Sequence, residues 1–308
     1  MKTAFMDRLL QAYRDSDDLF VLTADLGFRL FDGFEAAAPR RFYNVGVAES
    51  NMIGIAAGLS LCGKSVYCYS IIPFLVMRPF EQIRVDIAYH GLNVKLVGAG
   101  GGFTYGCEGF THFALEDLAL MSSLPNMTVV VPADPLEAEA VAGLSLEHDG
   151  PMYIRLGGRG GPVIHDRTPE MEIGRAMVLR EGEDAAVIAT GEMVHAGMLV
   201  AGMLSERGLS TTVVNMHTLK PLDTGIIAAL ASTHEAVFTI EEHNTRGGLG
   251  SAVSAVLAEN GYSGVFRRFG IDEGACKGFV GGSAFLRERS GLTPENLSEA
   301  ISVSLRRA

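Results

Sequence analysis

Three segments of this 308-residue sequence place chemically useful side chains at informative positions. In Val45-Gly-Val-Ala-Glu49-Ser-Asn-Met-Ile-Gly-Ile-Ala-Ala-Gly58-Leu59 a carboxylate falls where a strand passes into a helix of small apolar residues. Such an acid either caps the helix, whose first turn favours negative charge, or is held there for chemistry. In Pro73-Phe74-Leu-Val-Met77-Arg78-Pro79-Phe80-Glu81-Gln82-Ile-Arg84 two aromatics follow a strand, and core filling accounts for both. In Gly98-Ala-Gly-Gly-Gly-Phe-Thr-Tyr-Gly106-Cys-Glu108-Gly109-Phe-Thr111-His112 a glycine-rich loop delivers Glu108 and His112, four residues apart. A lone histidine is most often structural, but a flexible loop ending in Glu and His after a parallel strand more often serves a site.

Positioning these residues requires a scaffold, and the hydrophobic pattern describes one. Near-continuous apolar runs mark strands at 19–23, 65–71, 94–97, 128–131 and 152–155, and a second series at 185–189, 211–214, 236–240 and 265–269. Amphipathic helices alternate with them. Met52, Ile55, Ala56 and Leu59 recur at helical spacing, Pro79 sits where a first turn favours proline, and Asp134-Pro135-Leu136-Glu137 reads as a cap before a further helix. Later helices are expected over 192–207, closed by Gly208, then 223–231 and 249–259. Alternation of this kind predicts an α/β protein of two doubly wound domains with mostly parallel sheets. The series pauses in a Gly-, Pro- and charge-rich stretch, so the domains are placed at 1–165 and 184–308 with a linker at 166–183.

Two apparent nucleotide motifs fail on context. Gly58-Leu-Ser-Leu-Cys-Gly63-Lys64-Ser65 has the phosphate-loop spelling, yet a helix runs into it and a strand leaves it, the reverse of what phosphate binding needs. Gly63 fits better as the glycine that ends a helix. The run Gly98-Ala-Gly100-Gly101-Gly102 lacks the last glycine of a dinucleotide fingerprint, because Phe103 occupies that place. With 36 acidic against 25 basic residues the formal charge is −11, which argues against nucleic acid or an anionic membrane as partner. No apolar run approaches the roughly 18 residues that span a bilayer. Asp7 and Arg8 interrupt any signal-peptide core, and the four cysteines show no metal-type spacing, so a cytoplasmic protein is expected. Among the 37 glycines, Gly46, Gly54 and Gly58 are expected to permit close packing around the Glu49 helix.

The spacing of VGVAESNMIGIAAGL, FLVMRPFEQIR, the glycine loop with EGFTH, and SLPNMTVVVPADPLEAEA resembles the pyrimidine-binding domain of transketolases. Downstream, ATGEMVHAG, LKPLDTGII, EEHNTRGGLGSAV and VFRRFGIDE resemble the transketolase C-terminal domain. The family's GDG…Asn signature for thiamine diphosphate is absent, so the chain resembles the C-terminal subunit of a split transketolase. The resemblance implies thiamine diphosphate bound by its pyrimidine end, and a partner, the N-terminal transketolase subunit, that carries the diphosphate and Mg²⁺ site. No metal ligand is assigned to this chain. The activity implied is transfer of a two-carbon ketol unit from a ketose to an aldose, in an assembly of α₂β₂ type.

On the same resemblance Glu49 matches the glutamate that hydrogen-bonds the pyrimidine ring and lets the cofactor's own amino group act as a base. Phe74 matches the aromatic stacked on that ring, with Phe80 a second wall, and Asp25 falls in the cofactor-contacting segment. His112 matches the histidine that contacts sugar hydroxyls and carbonyl. The substrate pocket departs from the family. Glu108 stands where an aspartate is usual, Arg29 where many relatives carry a phosphate-binding serine, and Gly100 about where they carry a phosphate-binding histidine. Arg155 and Arg159 are both candidates for the arginine that clamps a phosphate. Arg29 with Arg159 forms either an anion site or a structural salt bridge. His243 is expected near a subunit interface. Rival readings are the β subunit of a 2-oxo-acid dehydrogenase E1 component, a 1-deoxyxylulose-phosphate-synthase-like condensation, and a non-catalytic scaffold subunit.

Overall fold

The computed structural model describes residues 1–158, 161–272, 274 and 277–306. The chain divides into two compact units, one formed by residues 1–101 with 120–173 and the other by 102–119 with 174–308. Among the described residues no helix is long and apolar enough to cross a membrane.

The first unit is built on strands β1 (Leu19–Thr23), β2 (Phe42–Asn44), β3 (Ser65–Ile71), β4 (Val94–Ala99), β5 (Thr128–Val130) and β6 (Met152–Leu156). They lie in the order β5-β6-β4-β3-β1-β2, all parallel. β4 and β6 are buried along their whole length, as expected when helices cover both faces of a parallel sheet. The helices are α1 (Lys2–Asp15), α2 (Asp32–Ala37), α3 (Glu49–Leu61), the short α4 (Phe80–Gln82), α5 (Asp117–Ser122), which runs on from the second unit, and α6 (Pro135–Glu147). α1 presents Phe5, Met6, Leu9 and Tyr13 to α6, which answers with Ala138, Val141 and Ala142.

Capping chemistry sets the start of α6. The buried Asp134 accepts the Glu137 amide at 2.8 Å, and Pro135 occupies the first turn. The Glu137 carboxylate reaches back to the Ala133 amide at 2.8 Å, one residue earlier than the capping box predicts. Pro79 differs from expectation: it precedes α4 rather than opening its first turn, and wide-turned helical segments at Pro73–Met77 and Ile83–Ala88 flank it.

The second unit contains β7 (Met177–Arg180), β8 (Ala185–Ala189), β9 (Thr211–Asn215), a short β10 (Thr218–Lys220), β11 (Ala236–Asn244) and β12 (Val265–Ile271). Five of these form a sheet in the order β12-β11-β8-β9-β7, parallel except for β7, which runs antiparallel to β9. Its helices are α7 (Met193–Ser205), α8 (Thr224–Thr233), α9 (Leu249–Glu259), α10 (Ser283–Arg289) and α11 (Pro294–Leu305). β7 lies in the stretch read from sequence as connecting. Its half-exposed four residues at a sheet edge carry no periodicity to announce them.

Candidate functional site

Glu49 opens α3, and its carboxylate, in a residue only 2% exposed, is engaged by two side chains. Arg78 Nη1 donates to Glu49 Oε2 at 3.0 Å, and Ser70 Oγ donates to Oε1 at 3.4 Å. Ser70 is fully buried at the carboxyl end of β3, and Arg78 stands just beyond the helical segment that follows it. The Arg78 guanidinium also lies 4.4 Å from the centroid of the Phe74 ring. Burying a carboxylate without partners is strongly unfavourable, so Arg78 and Ser70 are what allow Glu49 to sit there. Glu49 does lie in the first turn of α3, just after the cap residue Ala48, where negative charge suits the helix, and its carboxylate is at the same time bound by Arg78 and Ser70. Ser70 and Arg78 escaped the sequence reading. Their signals were present: a polar residue closing a buried parallel strand, and an arginine four residues after Phe74.

The glycines of this helix do not behave as expected. A Cβ added at Gly46, Gly54 or Gly58 meets nothing within 4 Å, so within the chain none of the three serves close packing. Gly54 and Gly58 instead lie on the outer face of α3 with Ser50, Asn51 and Ile55. Gly63 ends the helix as predicted, with φ +80° and its amide bonded to the Ser60 carbonyl.

Two further loops of the first unit carry sequence candidates. After β1, Asp25 and Arg29 adopt φ of +53° and +62°, a left-handed backbone that costs a non-glycine residue about 1 kcal/mol or more. Asn44 at the end of β2 helps hold the turn: its Oδ1 accepts the Asp25 and Gly46 amides, and its Nδ2 donates to Asp25 Oδ1. The Arg29 side chain is exposed, its guanidinium 5.4 Å from the centroid of the exposed Phe28 ring. Arg155, by contrast, is buried in β6, and its guanidinium lies where a Cβ on Gly101 would come within 3.1 Å. Gly101 therefore makes room for this cation beside β4. Phe80 is half-buried at the start of α4. Arg159 lies outside the described residues.

Glu108 and His112 belong to the second unit, because residues 102–119 pack with the C-terminal half of the chain. Glu108 is exposed on a 3₁₀ turn (Gly106–Glu108), and His112 is half-buried with Nδ1 2.9 Å from Thr111 Oγ1. The Tyr105 ring stands 6.2 Å from the His112 ring, edge-on. His243 is wholly buried inside the second unit: Nδ1 donates to the Asn244 carbonyl at 2.8 Å, and Nε2 receives the Ala119 amide at 3.5 Å. Its neighbour Glu241 accepts the Leu249 and Gly250 amides, each at 2.8 Å, at the start of α9.

Residues 1–159 match the family model described as transketolase, pyrimidine binding domain, and residues 174–275 match the one described as transketolase, C-terminal domain. The chain belongs to the transketolase family. Among its curated relatives, the 6-deoxy-6-sulfo-D-fructose transketolase subunit SqwH of Clostridium sp. (strain MSTE9) is 38% identical, over 97% of this chain and 92% of that one. An apulose-4-phosphate transketolase subunit of Actinobacillus succinogenes is 34% identical, over 95% of this chain and 94% of that one. A solved structure described as a split gene transketolase, inactive beta4 tetramer, superposes with a TM-score of 0.88 at 38% identity, covering 99% and 97% of the two chains. This transketolase-family chain thus corresponds over nearly its whole length to the C-terminal, or β, subunits of split transketolases, which makes it an enzyme subunit of transferase type.

Proposed function

We propose that this chain is the half of a thiamine-diphosphate-dependent transketolase that receives the aminopyrimidine end of the cofactor, with the diphosphate and Mg²⁺ held by a separate N-terminal subunit. The observation that carries the reading is the buried Glu49 carboxylate, oriented by Ser70 and Arg78 beside the Phe74 ring. The donor set fits such a group: a carboxylate shielded from water for a ring nitrogen, and an aromatic face for the ring itself. When bound, thiamine diphosphate supplies the nucleophilic carbon that takes up and releases the two-carbon ketol unit.

In this reading Glu49 holds the proton shared with the pyrimidine nitrogen, and Ser70 fixes the carboxylate plane. Phe74 supplies a stacking face and Phe80 a second wall, and Asp25 contacts the cofactor. A ring stacking on Phe74 takes the face that Arg78 does not cover, or displaces the guanidinium. Glu108 and His112 bind the sugar hydroxyls and carbonyl. Arg29 and Arg155, with Arg159, neutralise an anionic terminus. The relatives whose names include a substrate act on a sulfonated or a phosphorylated sugar, which supports a ketose with a terminal anion. The open glycine face of α3 supports packing against another chain, and an α₂β₂ assembly follows from pairing of this chain with itself and with its partner. A cytoplasmic location accords with the cysteine pattern.

The test is reconstitution with the diphosphate-binding subunit, followed by ketol-transfer assays across phosphorylated, sulfonated and free sugars. Calorimetry should show tight Mg²⁺-dependent thiamine diphosphate binding by the pair and little by this chain alone. Tight binding by the isolated chain overturns the divided site. Lipoamide-dependent decarboxylation of a 2-oxo acid without ketol transfer selects the dehydrogenase reading instead.

A further inference from the structure

The loop that carries Glu108 and His112 is held by a partly buried ion cluster that the reading above leaves without a role. Arg287, on α10, donates from Nε to Glu242 Oε1 at 2.6 Å and from Nη2 to Glu242 Oε2 at 2.8 Å, a bidentate pair. The same Nη2 lies 2.6 Å from Glu192 Oε2, at the start of α7. One guanidinium therefore ties together β11, α7 and α10. Glu242 is 4% exposed, and a Cβ on Gly102, whose φ is +60°, would overlap its carboxylate. The loop backbone thus rests directly on the clamped acid, at a position that only glycine fills without strain.

The rest of the loop is fastened by neighbouring residues. One turn before Arg287, Ser283 Oγ donates to the Phe103 carbonyl at 2.8 Å, and the Gly281 amide donates to the Gly106 carbonyl at 3.2 Å. Beyond His112, the Asn244 amide donates to the Leu115 carbonyl at 2.8 Å. Three attachments, from Gly281, from Ser283 on α10 and from Asn244 on β11, therefore bracket Glu108 and His112. Ion clusters at this depth contribute little net stability, whereas the fixed fork geometry of the arginine defines position.

We infer that Glu242, Arg287 and Glu192 are positioning residues for the sugar-binding loop, acting through Gly102 and α10 rather than by touching substrate. The inference rests on the transketolase reading for what the loop binds, but not for the clamp itself. Displacing a binding loop by about 1 Å costs on the order of a hundredfold in rate. In the reconstituted complex, Arg287→Met is expected to lower kcat/KM for the ketose by about 10- to 100-fold, chiefly through KM, with thiamine diphosphate affinity within about twofold of wild type. Arg287→Lys should recover part of the loss, because it keeps the charge but not the bidentate fork. Glu242→Gln should fall between the two. Gly102→Ala perturbs the same contact from the loop side while keeping all three charged side chains, so it decides the matter if Arg287→Met does not fold.

Amide hydrogen exchange on the full chain supplies a readout independent of activity. Amides 103–116 should exchange faster in these variants, while those of β8 and β9 are unchanged. Variants that lose thermal stability yet keep the wild-type sugar KM and loop exchange would overturn the inference, as would an equal loss of cofactor affinity. Absence of ketol transfer by the wild-type pair would refute the functional reading alone, leaving loop exchange to decide the clamp.

Discussion

Replacing Glu49 by Gln separates chemistry from folding at the candidate site. The two side chains are isosteric, and the position is 2% exposed, so the amide fills the same space. Its oxygen can still accept from Arg78, and its NH₂ can donate to Ser70 Oγ, so both contacts persist with the second reversed. Arg78 loses an ionic partner, but its side chain is 51% exposed and water compensates it, as for the weaker class of surface pairs at about 0–1 kcal/mol. The buried carboxylate's own desolvation cost disappears at the same time. The net change in stability is therefore expected within about 1 kcal/mol, a shift of a few degrees in Tm.

Activity should respond on a different scale. A positioned acid–base group contributes about 10²- to 10⁴-fold, which at 1.36 kcal/mol per decade is about 2.7–5.5 kcal/mol of barrier. Ketol-transfer turnover of the reconstituted pair at saturating cofactor, beside a thermal melt of the same preparation, measures both quantities. Turnover within about fivefold of wild type, with the assembly intact, would refute the role assigned to Glu49. A loss of several kcal/mol of stability would refute the compensation argued for Arg78.

Two further predictions concern the first unit. Asp134→Ala removes the α6 cap and also the acceptor for the Ile164 and His165 amides, which reach its Oδ2 at 2.7 and 3.2 Å, so a loss of about 2–3 kcal/mol is expected in denaturant titrations. An effect below about 0.5 kcal/mol would contradict it. His165 Nε2 lies 2.6 Å from Glu137 Oε1, and that hydrogen bond raises the imidazole above its ordinary value of 6.5 against the opposing effect of burial. A raised histidine stabilises the fold fully below that ordinary value and loses its contribution as pH climbs through the folded one. The stability gap between wild type and His165→Gln should thus be widest below pH 6.5 and narrow as pH rises through the raised folded value, and a gap that grows with pH would reverse the assignment.

Much of the scaffold was legible because it rests on local periodicity. The long buried strand β3, the strand β8 and the helix α9 fall where their apolar patterns place them, and Asp134 and Gly63 act as the cap and the stop that their residue types imply. What escaped includes the terminal helices α1 and α11, of 14 and 12 residues, as well as short, edge-lying strands. β2 has three residues and β7 four, too few for alternation to show. The α3 glycines misled for a related reason: glycine marks close approach and open surface alike, and sequence does not say which.

The candidate site divides along the same line. Glu49, Phe74, Glu108 and His112 stand out by type and spacing, since a carboxylate at a strand–helix junction and an acid–histidine pair on a glycine loop are local features. The partners of Glu49 come from 21 and 29 residues away, and which of many polar residues would turn inward was settled only by the sheet that brings β3 beside α3. More distant still is the support of the Glu108–His112 loop, whose Phe103 carbonyl is bound by Ser283 across 180 positions. Residue type and short-range period determine which elements form and which side chains are chemically apt. Tertiary structure alone decides which buried charges meet, because those pairings depend on chain closure over distances that no local pattern encodes.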